Sequence, residues 1–172
     1  MPPHSILKRP IMESLSFYKC RLIAGALLCS VTAPLWAASG TSSFDVSIQV
    51  LATCSISASN MTFSSITTGT TSNTDATSSL TVNCSNGTPY TVALDNGTNY
   101  SAGRRLASGA SYINYYLYSD SGRSTQWNTT TTKNGTGNGS DQTLTVFGRV
   151  PSGQNITNTG AYADTIIATV TY

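Results

Sequence analysis

FDVSIQVLATC, running from Phe44 to Cys54, places Phe44, Val46, Ile48 and Val50 at every second position, with Asp45, Ser47 and Gln49 between them. A period of two is the mark of an extended strand with one apolar face and one polar face. The strand leads directly into a cysteine, and only the small polar run Ser39 to Ser43 separates it from a leader-like segment.

That segment has the order of a secretory signal peptide. Lys8, Arg9, Lys19 and Arg21 precede the apolar run from Leu22 to Ala33, and the run closes on Pro34-Leu35-Trp36-Ala37-Ala38-Ser39. The run is shorter than the roughly 20 residues of a membrane-spanning helix, so the expectation is cleavage and export. Cleavage after Ala37 or after Ser39 fits, and Met12 is an alternative start. Leu28 stands before Cys29 where a lipoprotein signal needs Gly or Ala, which argues against lipidation. The expected organisation is a cleaved signal over residues 1–37, an alternating strand within 38–50 and a single domain over 51–172.

Removal of the leader reverses the charge. Arg104, Arg105, Arg123, Lys133 and Arg149 then face Asp45, Asp75, Asp95, Asp120, Asp141 and Asp164, a net charge of −1. No basic stripe is left to bind nucleic acid or an anionic membrane. The same region has no His and no Glu, the usual acid–base residues, so no catalytic residues are assigned and an enzyme is not expected. Nor is a small-molecule substrate. Cys54 and Cys84 form an even pair in an oxidising compartment, and a disulfide between them is the expected pairing. Without His to complete a ligand set, neither a metal site nor a cofactor is expected.

Downstream, short alternating runs are separated by turn signals. Met61 to Ile66 alternates, and Thr67 to Ser79 reads as a polar surface loop. Leu80, Val82 and Cys84 share a face, as do Tyr90, Val92 and Leu94 beyond the Asn86-Gly87 turn. Gly103 to Gly109 reads as irregular. In YINYYLY, Tyr112 to Tyr118, the core set is Ile113, Tyr115 and Leu117; the opposite row of Tyr112, Tyr116 and Tyr118 suits cross-strand packing better than a carbohydrate platform. Asp120-Ser121-Gly122 superficially resembles an aspartic protease loop, but turn chemistry alone accounts for it. Gln126 to Thr129 suits a short strand and Lys133 to Ser140 a loop, while Leu144, Val146 and Gly148 share one face of Gln142 to Val150. Triplets such as Asn96-Gly97-Thr98 match a glycosylation acceptor and also arise by chance in a chain this rich in Asn and Thr. The last run, Tyr162 to Tyr172, puts Ile166, Ala168, Val170 and Tyr172 in phase. About six to seven strands with no helical period predict an all-β, immunoglobulin-like sandwich.

An immunoglobulin-like domain expects one more strand beside so apolar a final one, because a long hydrophobic edge is an aggregation template. The strand before Cys54 is the obvious candidate to fill such a gap in another copy, by β-strand addition.

The chain resembles the spore coat protein U domain family, whose members include subunits of archaic, Csu-type chaperone–usher pili. The residues that carry the resemblance are the alternating strand before Cys54, LTVNCSNGTPYTVALDNG, INYYLYSDSGRSTQW, LTVFGRVPSGQ and GAYADTIIATVTY. The resemblance implies an incomplete sandwich completed by a donor strand, first from a periplasmic chaperone and then, at an outer-membrane usher, from the next pilin subunit. It implies a surface fibre serving adhesion and biofilm formation, with Phe44, Val46, Ile48 and Val50 as donor residues and Ile166, Ala168, Val170 and Tyr172 lining the acceptor groove. The alternatives are a secreted spore-coat or cell-surface coat protein and a monomeric carbohydrate-binding module on the same fold.

Overall fold

The computed structural model describes residues 36–172, so the expected signal peptide lies outside the described residues except for Trp36 and Ala37. Residues 36–46 belong to a leading unit and carry neither helix nor strand. All nine strands lie in the second unit, Ser47–Tyr172. They are β1 (Cys54–Ala58), β2 (Thr74–Cys84), β3 (Pro89–Leu94), β4 (Arg105–Ser108), β5 (Ser111–Asn114), β6 (Tyr116–Tyr118), β7 (Lys133–Thr136), β8 (Gln142–Val150) and β9 (Ala168–Thr171).

Every pairing is antiparallel, and together the strands make an immunoglobulin-like sandwich. One sheet runs β1-β2-β8-β6, the facing sheet β7-β3-β9, and β4-β5 forms a separate hairpin. Alternating residues from several strands make the core, as the period of two requires. Leu80, Val82 and Cys84 point inward from β2, with Val146 and Val150 beside them on β8; Tyr90, Val92 and Leu94 answer from β3. Ile113, Tyr115 and Leu117 are buried as their phase predicts, and the Cys54–Cys84 disulfide ties β1 to β2 at the Cys54↔Cys84 register position.

Several polar runs that read as loops are strands. Thr74 to Ser79, within the expected Thr67 to Ser79 loop, is the first half of β2 and pairs with β8 from Thr74↔Val150 to Ser79↔Thr145. Lys133 to Thr136 is β7, paired with β3, and Arg105 to Ser108 is β4, paired with β5. The ladder holds these segments, and a strand whose outer face meets water needs few apolar residues of its own. Conversely, Met61 to Ile66 alternates in burial but belongs to no ladder, and Gln126 makes only an isolated bridge to Tyr118. Phe44 to Val50 forms no strand within the chain.

Two buried residues that no periodicity marks join the sheets. Trp127 is fully buried and donates its indole N–H to Val92 O at 2.9 Å. Arg104, 7% exposed, meets carbonyls alone: Nε donates to Asp95 O (2.9 Å), Nη1 to Trp127 O (2.9 Å), and Nη2 to Leu94 O (3.2 Å) and Asp95 O (2.5 Å). Burial pushes its pKa below the ordinary arginine value. The guanidinium thus satisfies the carbonyls of Leu94 and Trp127 in buried bonds and that of Asp95 in partly buried ones. Arg104→Met removes these bonds and strands their acceptors, so equilibrium urea unfolding should show a loss of about 3 kcal/mol.

Candidate functional site

Between the two sheets lies an open cleft of about 1090 Å³. Its floor is apolar, formed by Leu80, Leu94, Ile113, Leu117 and Val146. One wall is the segment from Ala58, the last residue of β1, to Thr68; the other is Asn158 to Ile166, continued by Ala168 of β9.

Both walls carry unpaired backbone. In the second wall, Ala163 exchanges two hydrogen bonds with Ala107 (2.9 and 3.0 Å), Thr165 O accepts from Thr98 N–H (3.2 Å) and Ile167 O accepts from Asp95 N–H (3.0 Å). Successive residues of an extended chain direct their backbone groups to opposite sides. Asp164 and Ile166 therefore face the other way, and among the described residues neither makes a backbone–backbone hydrogen bond. Strand β9 extends this wall, pairing with β3 alone, with β1 packed beside it and no ladder between the two. In the first wall, the Ser59 N–H bond to Ser79 O at 2.9 Å is the last such bond before Thr67. Met61, Phe63 and Ile66 are half-buried against the core.

Gly148 lets the first wall close down. A side chain there would meet the sulfur of Met61 and approach Phe63 Cζ to 2.8 Å, so the absence of a Cβ seats both residues against β8. A glycine inside a strand is the sequence signal for such a close approach. Nothing in the periodicity, by contrast, marks the group that holds the second wall.

That group is the carboxylate of Asp164. Its Oδ1 accepts from Thr98 Oγ1 (2.8 Å), Asn99 N–H (3.1 Å) and Asn99 Nδ2 (3.0 Å), and its Oδ2 from Tyr115 Oη (2.7 Å). Asp95 acts similarly one turn away, where Oδ1 accepts from the N–H groups of Gly97 (3.0 Å) and Ile167 (2.9 Å). Burial raises the pKa of Asp164, but the bonds from Tyr115, Thr98 and the Asn99 amide outweigh it and leave the pKa lowered. For Tyr115, burial and then the bond to Asp164 push the phenol far above its ordinary value, so it remains a neutral donor.

The ionisable groups lining the cleft are Asp164, Tyr115 and Tyr162. With its oxygens already engaged by hydroxyl and amide donors, Asp164 is poorly placed to relay protons. Asp120 likewise spends its carboxylate on its own turn, accepting from the N–H groups of Ser124 and Thr125. The tyrosine row is broken: Tyr112 lies on the β4-β5 hairpin with Arg105 stacked 4.0 Å from its ring centroid, whereas Tyr116 and Tyr118 belong to β6.

The residues singled out from the sequence divide as follows. Ile166 and Ala168 line the cleft and Val170 is half-buried against the core, while Tyr172 is 59% exposed. Phe44, Val46, Ile48 and Val50 are between 84% and 90% exposed.

Comparison with known proteins gives a consistent set of relatives. A family model described as the Spore Coat Protein U domain matches residues 40–169. Protein U of Myxococcus xanthus is 40% identical over 76 residues, 40% of each chain. Among solved structures, the fold is similar to a chain in the crystal structure of the CsuC–CsuE chaperone–tip adhesion subunit pre-assembly complex from archaic chaperone–usher Csu pili of Acinetobacter baumannii. The TM-score is 0.56 at 24% identity, over 72% of this chain and 40% of that one. Both matches thus span 40% of the relative's own length.

A carboxylate whose pKa is lowered by folding stabilises the fold above its unfolded pKa, and that stabilisation is lost as pH falls through the folded value. For Asp164 the loss comes below the ordinary value of 3.8. Asp75 and Asp120 are also lowered and act in the same acid window. Asp164→Asn should therefore lower stability near neutral pH and flatten, without abolishing, the acid limb of a urea-midpoint profile; an acid limb identical to that of the wild type would exclude the carboxylate as the wall's anchor.

Proposed function

Because the chain belongs to the spore coat protein U domain family, we propose that it is a structural, non-catalytic subunit of a surface fibre, polymerised by donor-strand complementation. The donor is the alternating segment Phe44 to Val50 of one copy and the acceptor is the cleft of the next. One observation supports this above the others: four large apolar side chains stand almost wholly in water on the same chain as an apolar cleft flanked by unpaired strand edges. An added strand supplies main-chain partners to such an edge while alternate side chains enter the cleft. Burying four large apolar side chains contributes roughly 6 to 12 kcal/mol as an upper estimate, enough for a long-lived joint.

In this reading residues 1–37 are a cleaved signal, residues 38–50 hold the donor strand and residues 51–172 form the acceptor domain. Ile166, Ala168, Val170 and Tyr172 belong to the acceptor side, Tyr172 at its exposed end. The chain passes to the periplasm and is held there by a chaperone whose strand occupies the cleft, as the chaperone–subunit complex among its structural relatives leads us to infer. An outer-membrane usher then exchanges that strand for the arm of the next subunit. The resulting fibre serves adhesion and biofilm formation at the cell surface.

The test is a gel of the exported chain, co-expressed with its cognate chaperone and loaded unboiled and boiled in SDS, beside a deletion of residues 38–50. The expected result is a ladder that collapses on boiling and is absent from the deletion. A monomer that is stable without the chaperone and indifferent to the deletion would replace this reading with a self-complete binding module.

A further inference from the structure

The root of the arm is fastened to the domain at a particular place. Thr53 O accepts from Ser85 N–H at 2.9 Å, Thr53 N–H donates to Ser85 Oγ at 3.1 Å, and the next residue pair is joined by the Cys54–Cys84 disulfide. The ladder then continues through Ala58↔Leu80, and Ser59 N–H bonds to Ser79 O. Thr53 to Ser59 is thus held along β2, while the cleft begins only at Ala58. Resting on the function proposed above, we propose that this clamp prevents the arm from filling its own cleft, so that the donor strand can serve only a second copy of the chain.

The argument is one of reach. Val50 is three residues from the clamp, at most roughly 10 Å away, whereas the near end of the cleft lies five extended residues beyond the clamp, roughly 17 Å. To enter its own cleft the arm must reverse, and the only residues free to turn are Leu51 and Ala52. A two-residue reversal favours Gly, Asn or Asp in left-handed backbone, which Leu and Ala disfavour. Even if that turn forms, antiparallel register sets Val50 opposite Thr53, Ile48 opposite Ser55, Val46 opposite Ser57 and Phe44 opposite Ser59. Only Phe44 comes level with the apolar cleft, at its mouth, and the rest of the arm has to lie along the free edge of β1, where β9 already stands beside it. A turn placed earlier in the arm uses up the anchors themselves. The clamp therefore turns a problem of strand affinity into one of connectivity: the intramolecular site is close in space but the tether is too short to span it, so its effective concentration is near zero.

The clamp is tested by lengthening the tether without touching the domain. A Gly–Ser linker of about 16 residues, with an extended reach of roughly 50 Å, is inserted between Leu51 and Ala52, which are both exposed. The expected product is a monomer whose Phe44 to Val50 amides are protected from hydrogen exchange, with SDS-resistant multimer reduced at least about tenfold because a flexible tether of this length supplies millimolar effective concentration. The linker combined with Val46→Asp and Ile48→Asp should lose that protection. Multimers that survive the insertion but vanish on deletion of residues 38–50 would overturn the clamp alone. Multimers that survive the deletion would overturn the donor-strand reading beneath it. Protection of the Phe44 to Val50 amides in a dilute wild-type monomer would also overturn the clamp, by showing the arm already in its own cleft.

Discussion

Hydrogen bonds to the carboxylate of Asp164 brace one wall of the cleft, which main-chain bonds hold along one edge only. The backbone groups of Asp164 and Ile166 make no backbone–backbone bond among the described residues, and an extended segment bonded along one edge alone is a weak wall for an open trough. Thr98 and Asn99 fasten Asp164 from one place in the chain and Tyr115 from another, and Asp95 fastens Ile167. Side chains thus keep the wall in register without using the backbone groups that face the cleft. An incoming strand would find those groups free.

The same economy appears beside this wall, at the end of β3. Arg104 closes off the carbonyls of Leu94, Asp95 and Trp127, and Trp127 fills the space behind Val92. Both serve a sandwich that is open along one side and cannot rely on a continuous sheet. The polar work is concentrated near the cleft, whereas the opposite end, where the disulfide joins β1 to β2, is held covalently. An open trough with an anchored wall at one place and a clamped arm root at another suits a part that takes in one strand and gives out another.

Much of this was legible from the residues alone. The phase of Leu80, Val82 and Cys84, of Tyr90, Val92 and Leu94, and of Ile113, Tyr115 and Leu117 identifies inward faces wherever the strands end, because side-chain alternation is local to the backbone. The pairing of Cys54 with Cys84 follows from there being two cysteines beyond the leader. The ladder partners of Thr74 to Ser79, Arg105 to Ser108 and Lys133 to Thr136 were not legible, since these polar strands are held by backbone bonds to residues distant in sequence. Arg104, Asp95 and Asp164 were hidden for the same reason. Each is one charged residue among several, and only its neighbours in space show that it is a fastening and not a solvated charge.

The sequence by itself determined that the chain is an all-β sandwich with an alternating apolar arm ahead of its disulfide, because periodicity and cysteine count are properties of nearest neighbours along the chain. Only the tertiary structure decided where the cleft opens, which of Ile166, Ala168, Val170 and Tyr172 line it, and how far the arm's root stands from its mouth. Those are distances between segments, and they exist only once the antiparallel register has brought Thr53 to Ser85 and Asp164 to Tyr115.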